Sequence, residues 1–412
     1  MVYLIHYLKP SVMLKILPIS FISFLLFSCS EEDPSNLGEE LASQLLIIDT
    51  HIDVPYRLLE QHESGQEIDD ISKMTTGNFD FTKAKSGGLN VPFFSIYLPA
   101  ETEEDGSAYK VANSLIDMVQ DIVTLNPDKF TLIKSTDDVL SLNIRETVGL
   151  VLGMENGAPI QGDLSRVQLF YDRGIRYITL THSKTNHISD SSYDENIQWG
   201  GLSDFGKQLI KEMNLVGVMV DISHVNDDAF YQAIQISNTP VIASHSSLRY
   251  FTPGFERNVD DDMLKALAKK GGVIHINFGS SFVSKAPGLY FDQMKDYLNN
   301  HFLDIESVSK EEIDKAREEF MESNPFPYAN VSIVADHIDR AVNLVGIDHV
   351  GLGSDFDGVG DSLPEGLKDV SMYPNLINEL LTRGYTKEDL EKILSGNLLS
   401  VWKQVESYAR NN

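Results

Sequence analysis

Short apolar runs alternate along the chain with longer stretches in which apolar residues recur at helical spacing. The eight runs are Leu45–Ile48, Val91–Tyr97, Val148–Met154, Tyr177–Leu180, Val216–Val220, Val241–Ala243, Gly272–Ile276 and Val350–Leu352. Each run is almost continuously apolar, which is typical of a strand buried on both faces of a parallel sheet. The alternation therefore predicts β/α units and an α/β fold.

The number of these units favours a closed barrel. Amphipathic stretches such as Leu202–Asn214 and Val331–Leu344 lie between the runs and would form the outer helices of a (β/α)8 TIM-like barrel. An open, doubly wound sheet is the alternative, because strand closure leaves no mark in a sequence. Two segments interrupt the repeat: Asn186–Gly201 predicts a polar loop, and Phe282–Ala329 predicts a helical insertion. The helical C-terminal stretch, Leu376–Ala409, is expected to pack on the outer ring.

The composition is that of an acidic globular protein. The 412 residues include 33 Lys and Arg against 61 Asp and Glu, which gives a net charge of −28, and 42% of the residues are hydrophobic. This apolar content is enough for a sizeable core. Nucleic acid is excluded as a partner, since it requires clustered Lys and Arg and the sequence has no basic run. The single cysteine excludes an intrachain disulfide and a cysteine-based zinc site.

The N-terminus has the features of an export signal. Residues 1–28 carry two lysines and no acid, and their apolar stretch, Ile16–Phe27, is short for a membrane-spanning helix. Leu26–Cys29 is similar to the lipobox of bacterial lipoproteins, in which the cysteine becomes the lipidated N-terminus. An ordinary secretory signal with an incidental cysteine is the alternative.

The chain is therefore expected to consist of three parts. The parts are a signal peptide over 1–28, an acidic flexible tether over 29–40 that begins at the lipidated Cys29, and a single domain over 41–412. We therefore expect a lipoprotein of the cell envelope, attached by its N-terminal lipid to a bacterial membrane and facing the periplasm or the cell surface.

Histidines and carboxylates follow most of the predicted strands. Catalytic groups of β/α barrels sit at the carboxyl ends of the strands, so side chains from different runs are expected to meet there. The residues at these positions are His51, Asp53, Glu155, His182, Asp221, His224, His245 and Asp355. Imidazole nitrogens and carboxylate oxygens without sulfur suit zinc, and such a site is catalytic more often than structural.

The spacing of these residues predicts a metal centre. His51 and Asp53 are two positions apart in an extended chain, so both point the same way and can share one metal. His224 and His245 supply two nitrogens to a second metal, and a single carboxylate such as Glu155 can bridge both. Each residue also has a structural alternative: a strand-end hydrogen bond for the first pair, a turn or helix cap for the two later histidines, and a helix-terminal charge for the glutamate.

The other polar residues near the strand ends have different expected roles. Asp355, at the end of the last strand, is a candidate base, and its alternative is a turn cap with Gly358. Asp221 is a candidate for orienting a histidine ligand. Structural roles are expected for His275, His337, His349 and Asp357.

Six segments of the chain resemble the membrane (renal) dipeptidases, which are zinc enzymes of the amidohydrolase-like barrel superfamily. The segments are Ile48–Asp53, Gly153–Gly157, Gly174–His182, Val220–His224, Ile242–Ser247 and Gly353–Gly358. They occur in the family's order, and the match extends from Ile47 to the C-terminus. The resemblance implies a zinc dipeptidase that hydrolyses L,L dipeptides and also tolerates a D-residue at the C-terminal position.

The resemblance further implies a role for each site residue. The implied metal ligands are His51, Asp53, Glu155, His224 and His245, with Glu155 and a hydroxide bridging two zinc ions per chain. His182 would contact the substrate and stabilise the oxyanion, and Asp355 would pass the proton of the bridging water to the leaving amine. Arg257 would bind the terminal carboxylate of the dipeptide, with Arg249 as its competitor. The oligomeric state stays open, with a homodimer among the options.

Two rival functions are less consistent with the residues. Deaminases and lactonases on this barrel usually have His-x-His after the first strand, where this chain has His51-Ile52-Asp53. A non-catalytic binding lipoprotein would be favoured by loss of Asp355 or of a metal histidine, and none is lost. The predicted partners are therefore dipeptide substrates and membrane lipid.

Overall fold

Parallel strands with helices between them form a nearly closed barrel in the computed structural model, which describes residues 34–302 and 308–412. The strands are β1 (Ile47–Ile52), β2 (Leu89–Tyr97), β3 (Phe130–Leu132), β4 (Val148–Glu155), β5 (Ile175–Thr179), β6 (Met219–Asp221), β7 (Ile242–Ala243), β8 (Val273–Ile276) and β9 (Val350–Leu352). Eight follow one another in the order β1-β2-β4-β5-β6-β7-β8-β9, and β3 pairs with β4 outside this path. The predicted (β/α)8 fold is confirmed.

Hydrogen bonds beyond the last strand bring the two edges of the sheet together. The Asp355 N–H donates to the carbonyl of His51 (3.1 Å), and the Asp53 N–H donates to the carbonyl of Phe356 (2.9 Å). Ile52 and Phe356 form a parallel bridge. The residues that follow β1 and β9 therefore lie side by side, and both segments carry candidate site residues.

Helices connect the strands and surround the barrel. They are α1 (Pro34–Gln44), α2 (Val54–Glu63), α3 (Phe81–Gly87), α4 (Glu101–Glu104), α5 (Ala108–Leu125), α6 (Thr136–Ser141), α7 (Ser165–Arg173), α8 (Asp204–Val216), α9 (Asp227–Ile236), α10 (Asp261–Lys269), α11 (Ser280–Val283), α12 (Lys285–His301), α13 (Lys310–Ser323), α14 (Val331–Val345), α15 (Tyr373–Thr382), α16 (Lys387–Glu391) and α17 (Asn397–Asn411). Asn186–Gly201 contains no regular helix or strand, as predicted, and α12 and α13 confirm the helical insertion within Phe282–Ala329.

Most predicted strands differ from the observed ones by a few residues at their ends, and two differences have a clear physical reason. The run Val216–Val220 predicts one strand, but α8 continues through its first residue and ends at Gly217, whose φ of 96° is a left-handed cap that favours glycine. Strand β3 was not predicted, because it has only three residues and just Phe130 is fully buried.

Helix α17 packs into the barrel and not on its outer ring. Its residues Leu398, Val401, Trp402 and Val405 share a core with strand residues that face inward, and the ring centroids of Trp402 and Phe93 are 5.6 Å apart. A second, larger core lies between the strands and the outer helices. The prediction for the C-terminal stretch is therefore wrong for α17, because the apolar face of this helix covers the barrel interior at the end remote from the carboxyl ends of the strands.

The predicted flexible tether over 29–40 ends earlier than expected. Helix α1 packs against α15, and the Gly38 N–H donates to Oδ1 of Asn378 (2.8 Å). Leu41 and Ala42, one turn further on, are buried. The tether prediction is wrong for residues 34–40, because this segment is continuous with a helix that has an apolar face to bury.

The N-terminal predictions concern a part of the chain outside the described residues. These are the signal peptide over 1–28 and the lipidated Cys29. Among the described helices, none combines the length and the apolar character needed to cross a membrane.

Candidate active site

The predicted site residues meet at the carboxyl ends of the barrel strands. They are His51 in β1, Asp53 after it, Glu155 at the end of β4, His182 after β5, His224 after β6, His245 after β7 and Asp355 after β9. All except His182 are buried. His224 (φ 70°) and Asp355 (φ 66°) have left-handed backbone, which residues other than glycine rarely adopt and which is concentrated at functional sites.

The carboxylate of Glu155 is the centre of the cluster. Its Oε2 lies 3.3 Å from Nε2 of His51, and its Oε1 lies 3.1 Å from Nε2 of His224 and 3.2 Å from Nε2 of His245. Burial raises the pKa of Glu155, but the surrounding histidines outweigh burial and hold the pKa well below its usual range. One ionised carboxylate therefore contacts imidazoles from three strands, which is the arrangement that a bridging ligand requires.

The hydrogen bonds of Tyr177 fix the tautomer of His51. Its hydroxyl donates to the carbonyl of Thr50 (3.1 Å) and lies 2.8 Å from Nδ1 of His51. Because the hydroxyl proton is used on Thr50, the Nδ1–H of His51 must be the donor in the second bond. Nδ1 of His51 therefore carries a proton, and Nε2 is the nitrogen that faces Glu155 and Asp53 and is placed to ligate a metal.

A similar chain of hydrogen bonds fixes the tautomer of His245. The Ser244 hydroxyl donates to Oδ2 of Asp221 (2.6 Å) and lies 2.7 Å from Nδ1 of His245. Nδ1 of His245 therefore carries the proton, and Nε2 presents its lone pair to the cluster. Asp221, predicted to orient a histidine, acts on His245 through Ser244.

The cluster has the properties of a metal site. Nε2 of His51 is buried without a hydrogen-bond partner, and the Nε2 atoms of His224 and His245 are 2.8 Å apart. Burial lowers the pKa of both later histidines well below the usual value, so their rings are neutral and able to ligate. A cation would satisfy these converging nitrogen and oxygen atoms, and the donor set fits a divalent metal.

The possible ligand groupings overlap. Donor atoms within 4.8 Å of one another form three groups, which are His51–Glu155–His245, Glu155–His182–His224 and His51–Asp53–Asp355. His245 lies between two other histidines, since its ring centroid is 3.7 Å from that of His51 and its Nε2 is 2.8 Å from Nε2 of His224. The assignment of His224 and His245 to one ion therefore stays a prediction.

Asp355 lies beside Asp53 at the junction of the two sheet edges. Its Oδ2 accepts a hydrogen bond from Nδ2 of Asn277 (2.7 Å). Burial, together with the charge of Asp53, raises the pKa of Asp355 to about 7. Gly358 allows the two carboxylates to approach, since a Cβ at this position would lie 2.2 Å from Oδ2 of Asp53 and 2.4 Å from Oδ1 of Asp355.

The two candidate arginines have different surroundings. Arg249 forms a bidentate ion pair with Asp227 (2.8 and 2.6 Å), so its charge is already neutralised. Arg257 is only 3% exposed and donates to the Ser246 hydroxyl (2.7 Å) and to the carbonyl of His245 (2.8 Å). Its Nε has no partner, and no carboxylate of the described residues pairs with its guanidinium. The structure therefore favours Arg257 for binding a substrate carboxylate.

Comparison with known proteins places this site in a family. A family model described as "Membrane dipeptidase (Peptidase family M19)" matches residues 37–412. The chain belongs to the membrane dipeptidase family. An uncharacterised dipeptidase of Schizosaccharomyces pombe is 32% identical over 385 residues, which is 90% of this chain and 83% of that protein. Dipeptidase 3 of Mus musculus is 30% identical over 366 residues, and the match covers 87% of this chain but only 64% of the mouse protein.

Solved structures share the fold of this membrane dipeptidase family member. The probable dipeptidase PvdM of Pseudomonas aeruginosa aligns with a TM-score of 0.78 at 28% identity, over 91% of this chain and 99% of that chain. A dipeptidase AC of family M19 aligns with a TM-score of 0.70 at 23% identity, over 89% of this chain and 99% of that chain. The resemblance identified in the sequence is confirmed.

A cavity of 630 Å³ adjoins the donor cluster, and three tyrosines in its wall were missed by sequence reasoning. The ring of Tyr97 packs edge-on against His182 (4.7 Å) and against Tyr56 (4.7 Å). Burial raises the pKa of Tyr193 to about 12, so its hydroxyl keeps its proton and can donate to a ligand. Tyr97 ends strand β2, and this position was the signal that could have identified it.

The residues predicted to be structural have structural contacts. His337 accepts from the Leu248 N–H (3.1 Å) and bonds the carbonyl of Val283 (3.0 Å). His275 and His349 bond to backbone carbonyls of neighbouring strand segments. Asp357 accepts from the backbone N–H groups of residues 78 and 79, which fixes the turn after β9.

Proposed function

We propose that this chain is a metal-dependent dipeptidase that hydrolyses the peptide bond of free dipeptides. The observation that carries the proposal is the occurrence of two features next to each other, joined by the hydrogen bond from Arg257 to the carbonyl of His245. Metal donors surround the buried Glu155, and the buried guanidinium of Arg257 lies nearby without a carboxylate partner. The first feature suits amide hydrolysis, and the second suits a substrate that ends in a free carboxylate.

Five residues would hold the metal. They are His51 and Asp53 for one ion, His224 and His245 for the other, and Glu155 between them. We assign zinc, at two ions per chain, because the donors are imidazoles and carboxylates without sulfur and because two fixed tautomers aim Nε2 atoms at a shared carboxylate. Divalent ions in such a site activate water for attack and polarise the scissile carbonyl.

Asp355 and His182 would supply the remaining catalytic groups. Asp355 is held by Asn277 on the cavity wall, where its carboxylate can take a proton from the attacking water and return it to the leaving nitrogen. His182 also lines the cavity, and burial lowers its pKa, so the neutral ring can donate one hydrogen bond. That bond would stabilise the scissile oxygen as it gains negative charge.

Arg257 would recognise the terminal carboxylate of the substrate. A third residue in the substrate would place an uncharged peptide group where this carboxylate binds, so the proposal excludes longer peptides. The resemblance of the sequence motifs supports extending the substrate class to L,D dipeptides.

The test is the release of free amino acids from a panel of L,L and L,D dipeptides. We expect hydrolysis by the zinc-loaded protein, loss of activity with a chelator and recovery on adding zinc. His224→Ala should lower activity by orders of magnitude, whereas His62→Ala, which changes an exposed histidine on α2, should not. Absence of hydrolysis across the panel by protein carrying two zinc ions would refute the proposal, and so would full activity of metal-free protein.

We also propose that the protein is exported and anchored by a lipid on Cys29. Support comes from the short apolar stretch before Leu26–Cys29 and from the acidic residues after it. Mature protein should begin at an acylated Cys29 and partition with membranes, and Cys29→Ala should be left uncleaved or become soluble. Normal cleavage of the variant with unchanged membrane binding would contradict the lipid anchor.

A further inference from the structure

An aromatic cluster holds the inserted helices α12 and α13 beside the active-site cavity. The ring of Tyr290 lies 5.3 Å from that of Phe320 and 5.1 Å from that of Phe326, and Phe291 lies 5.5 Å from Phe326. Tyr290 and Phe320 are buried. Phe291 is therefore a wall residue whose position is set by packing.

Phe291 and Ser281 line two cavities at once. One is the active-site cavity, and the other is a neighbouring cavity of 410 Å³, which we call the side cavity. Apolar side chains of Phe255, Leu289 and Phe291 form much of the wall of the side cavity. Leu289 is 46% exposed and Phe291 is 43% exposed, so a patch of large apolar groups faces open space next to a polar site.

The side cavity lies on the same side of the site as the proposed carboxylate anchor. The guanidinium of Arg257 lies over the ring of Phe282 (5.4 Å), and Phe282 packs against Phe255 (5.7 Å), which lines the side cavity. A dipeptide whose carboxylate binds Arg257 therefore has its C-terminal residue next to the side cavity. Its N-terminal residue lies further away.

We propose that the side cavity is a subsite for a bulky apolar side chain at the C-terminal position of the dipeptide. Leu289 and Phe291 are its specificity-determining residues. The proposal rests on the proposed dipeptidase function and adds the substrate class. A volume of 410 Å³ is large beside the ~30 Å³ that one water occupies in the liquid, so a leucine or phenylalanine side chain uses this space and an alanine methyl does not.

The experiment compares kcat/KM for Ala-Phe, Ala-Ala and Phe-Ala in zinc-loaded wild type and three variants. The double variant Leu289→Ala/Phe291→Ala should lower kcat/KM for Ala-Phe about 10-fold and change the other two substrates less than about 2-fold. Gly288→Leu should fill the side cavity without a clash, since a Cβ there meets no atom within 4 Å, and should also act selectively on Ala-Phe. Met321→Ala is the matched control, because Met321 is 53% exposed on α13 and lines neither cavity.

The outcomes separate this proposal from the one on which it rests. Equal losses on Ala-Phe and Ala-Ala in the double variant, or a selective loss on Phe-Ala, would overturn the subsite while leaving an active dipeptidase. A Met321→Ala variant as selective as the double variant would overturn it as well. No hydrolysis of any dipeptide by the wild type would overturn the dipeptidase function, and the subsite with it.

Discussion

The hydroxyl of Tyr177 is the group that we expect to control the affinity of the metal position at His51. In Tyr177→Phe, the Nδ1–H of His51 loses its acceptor and the carbonyl of Thr50 loses its donor, while the ring that packs against Phe93 is kept. The space for this ring depends on Gly153, where a Cβ would lie 2.0 Å from the tyrosine Cζ. The substitution therefore removes one hydroxyl and leaves the packing in place.

The size of the effect follows from the tautomer of the histidine. A histidine that ligates through Nε2 must keep its proton on Nδ1, and leaving this buried Nδ1–H unsatisfied costs about 1–3 kcal/mol. At ~1.4 kcal/mol per tenfold, this cost corresponds to a roughly 10- to 100-fold weaker ion. Losses of this size are typical when the group that orients a metal-ligating histidine is removed.

The assay is competition between the protein and a chelator of known affinity for zinc. Wild type should titrate with two ions, and Tyr177→Phe should hold one ion as before and the other about 10- to 100-fold more weakly. Saturating zinc should restore most of the activity. Tyr109→Phe, on the outer helix α5, is the control for loss of a hydroxyl. Unchanged affinity for both ions in Tyr177→Phe would refute the tautomer argument.

Three further predictions concern substrate binding, proton transfer and acid stability. Arg257→Ala should raise KM by about 10- to 150-fold, since a charge-assisted pair contributes roughly 1.5–3 kcal/mol, whereas Arg249→Ala should leave KM unchanged. Steady-state kinetics with free and C-terminally amidated dipeptides distinguish the roles of the two arginines. Asp355→Asn should lower kcat by about 10²- to 10⁴-fold, with KM little changed and two zinc ions retained. If elemental analysis shows that the variant has lost zinc, Asp355 is a metal ligand and not a proton carrier. Burial lowers the pKa of His337 to about 4 from a usual value near 6.5, so the folded protein favours the neutral ring. The neutral ring therefore contributes ~3 kcal/mol at most to the free energy of unfolding. This contribution is complete above pH 6.5 and is lost as pH falls towards 4. Urea unfolding of metal-free protein should therefore show a smaller loss of stability between pH 7 and pH 4.5 for His337→Gln than for wild type.

The sequence allowed the fold and the metal donors to be predicted because both depend on local pattern. An apolar run followed by a histidine or carboxylate marks a strand end, and β1 followed by Asp53 is an example. The resemblance implied Arg257 as the residue that binds the substrate carboxylate, but Arg249 remained its competitor because both follow His245 along the chain. The bidentate contact of Arg249 with Asp227 on α9 favours Arg257, and that contact is tertiary.

Other features escaped prediction because one pattern fits two environments. Tyr177 lies within an apolar run and reads as a core residue, yet its hydroxyl orients a candidate metal ligand. The apolar face of α17 fits the outer ring as well as the barrel interior, and only packing shows that Trp402 lies inside. The helix over residues 34–40 begins in an acidic, polar stretch, and its burial against α15 is again a long-range contact.

The position of α17 has a consequence for how the protein reaches its folded state. The barrel interior is completed by Trp402 and its neighbours, and the two edges of the sheet are joined by β9 and the residues that follow it. A chain still emerging from the ribosome therefore lacks both the filling and the closure of its central core, and its earlier β/α units have no complete surface on which to settle. We expect such a chain to remain incompletely folded until its last helix is available, a state that is compatible with the export proposed above.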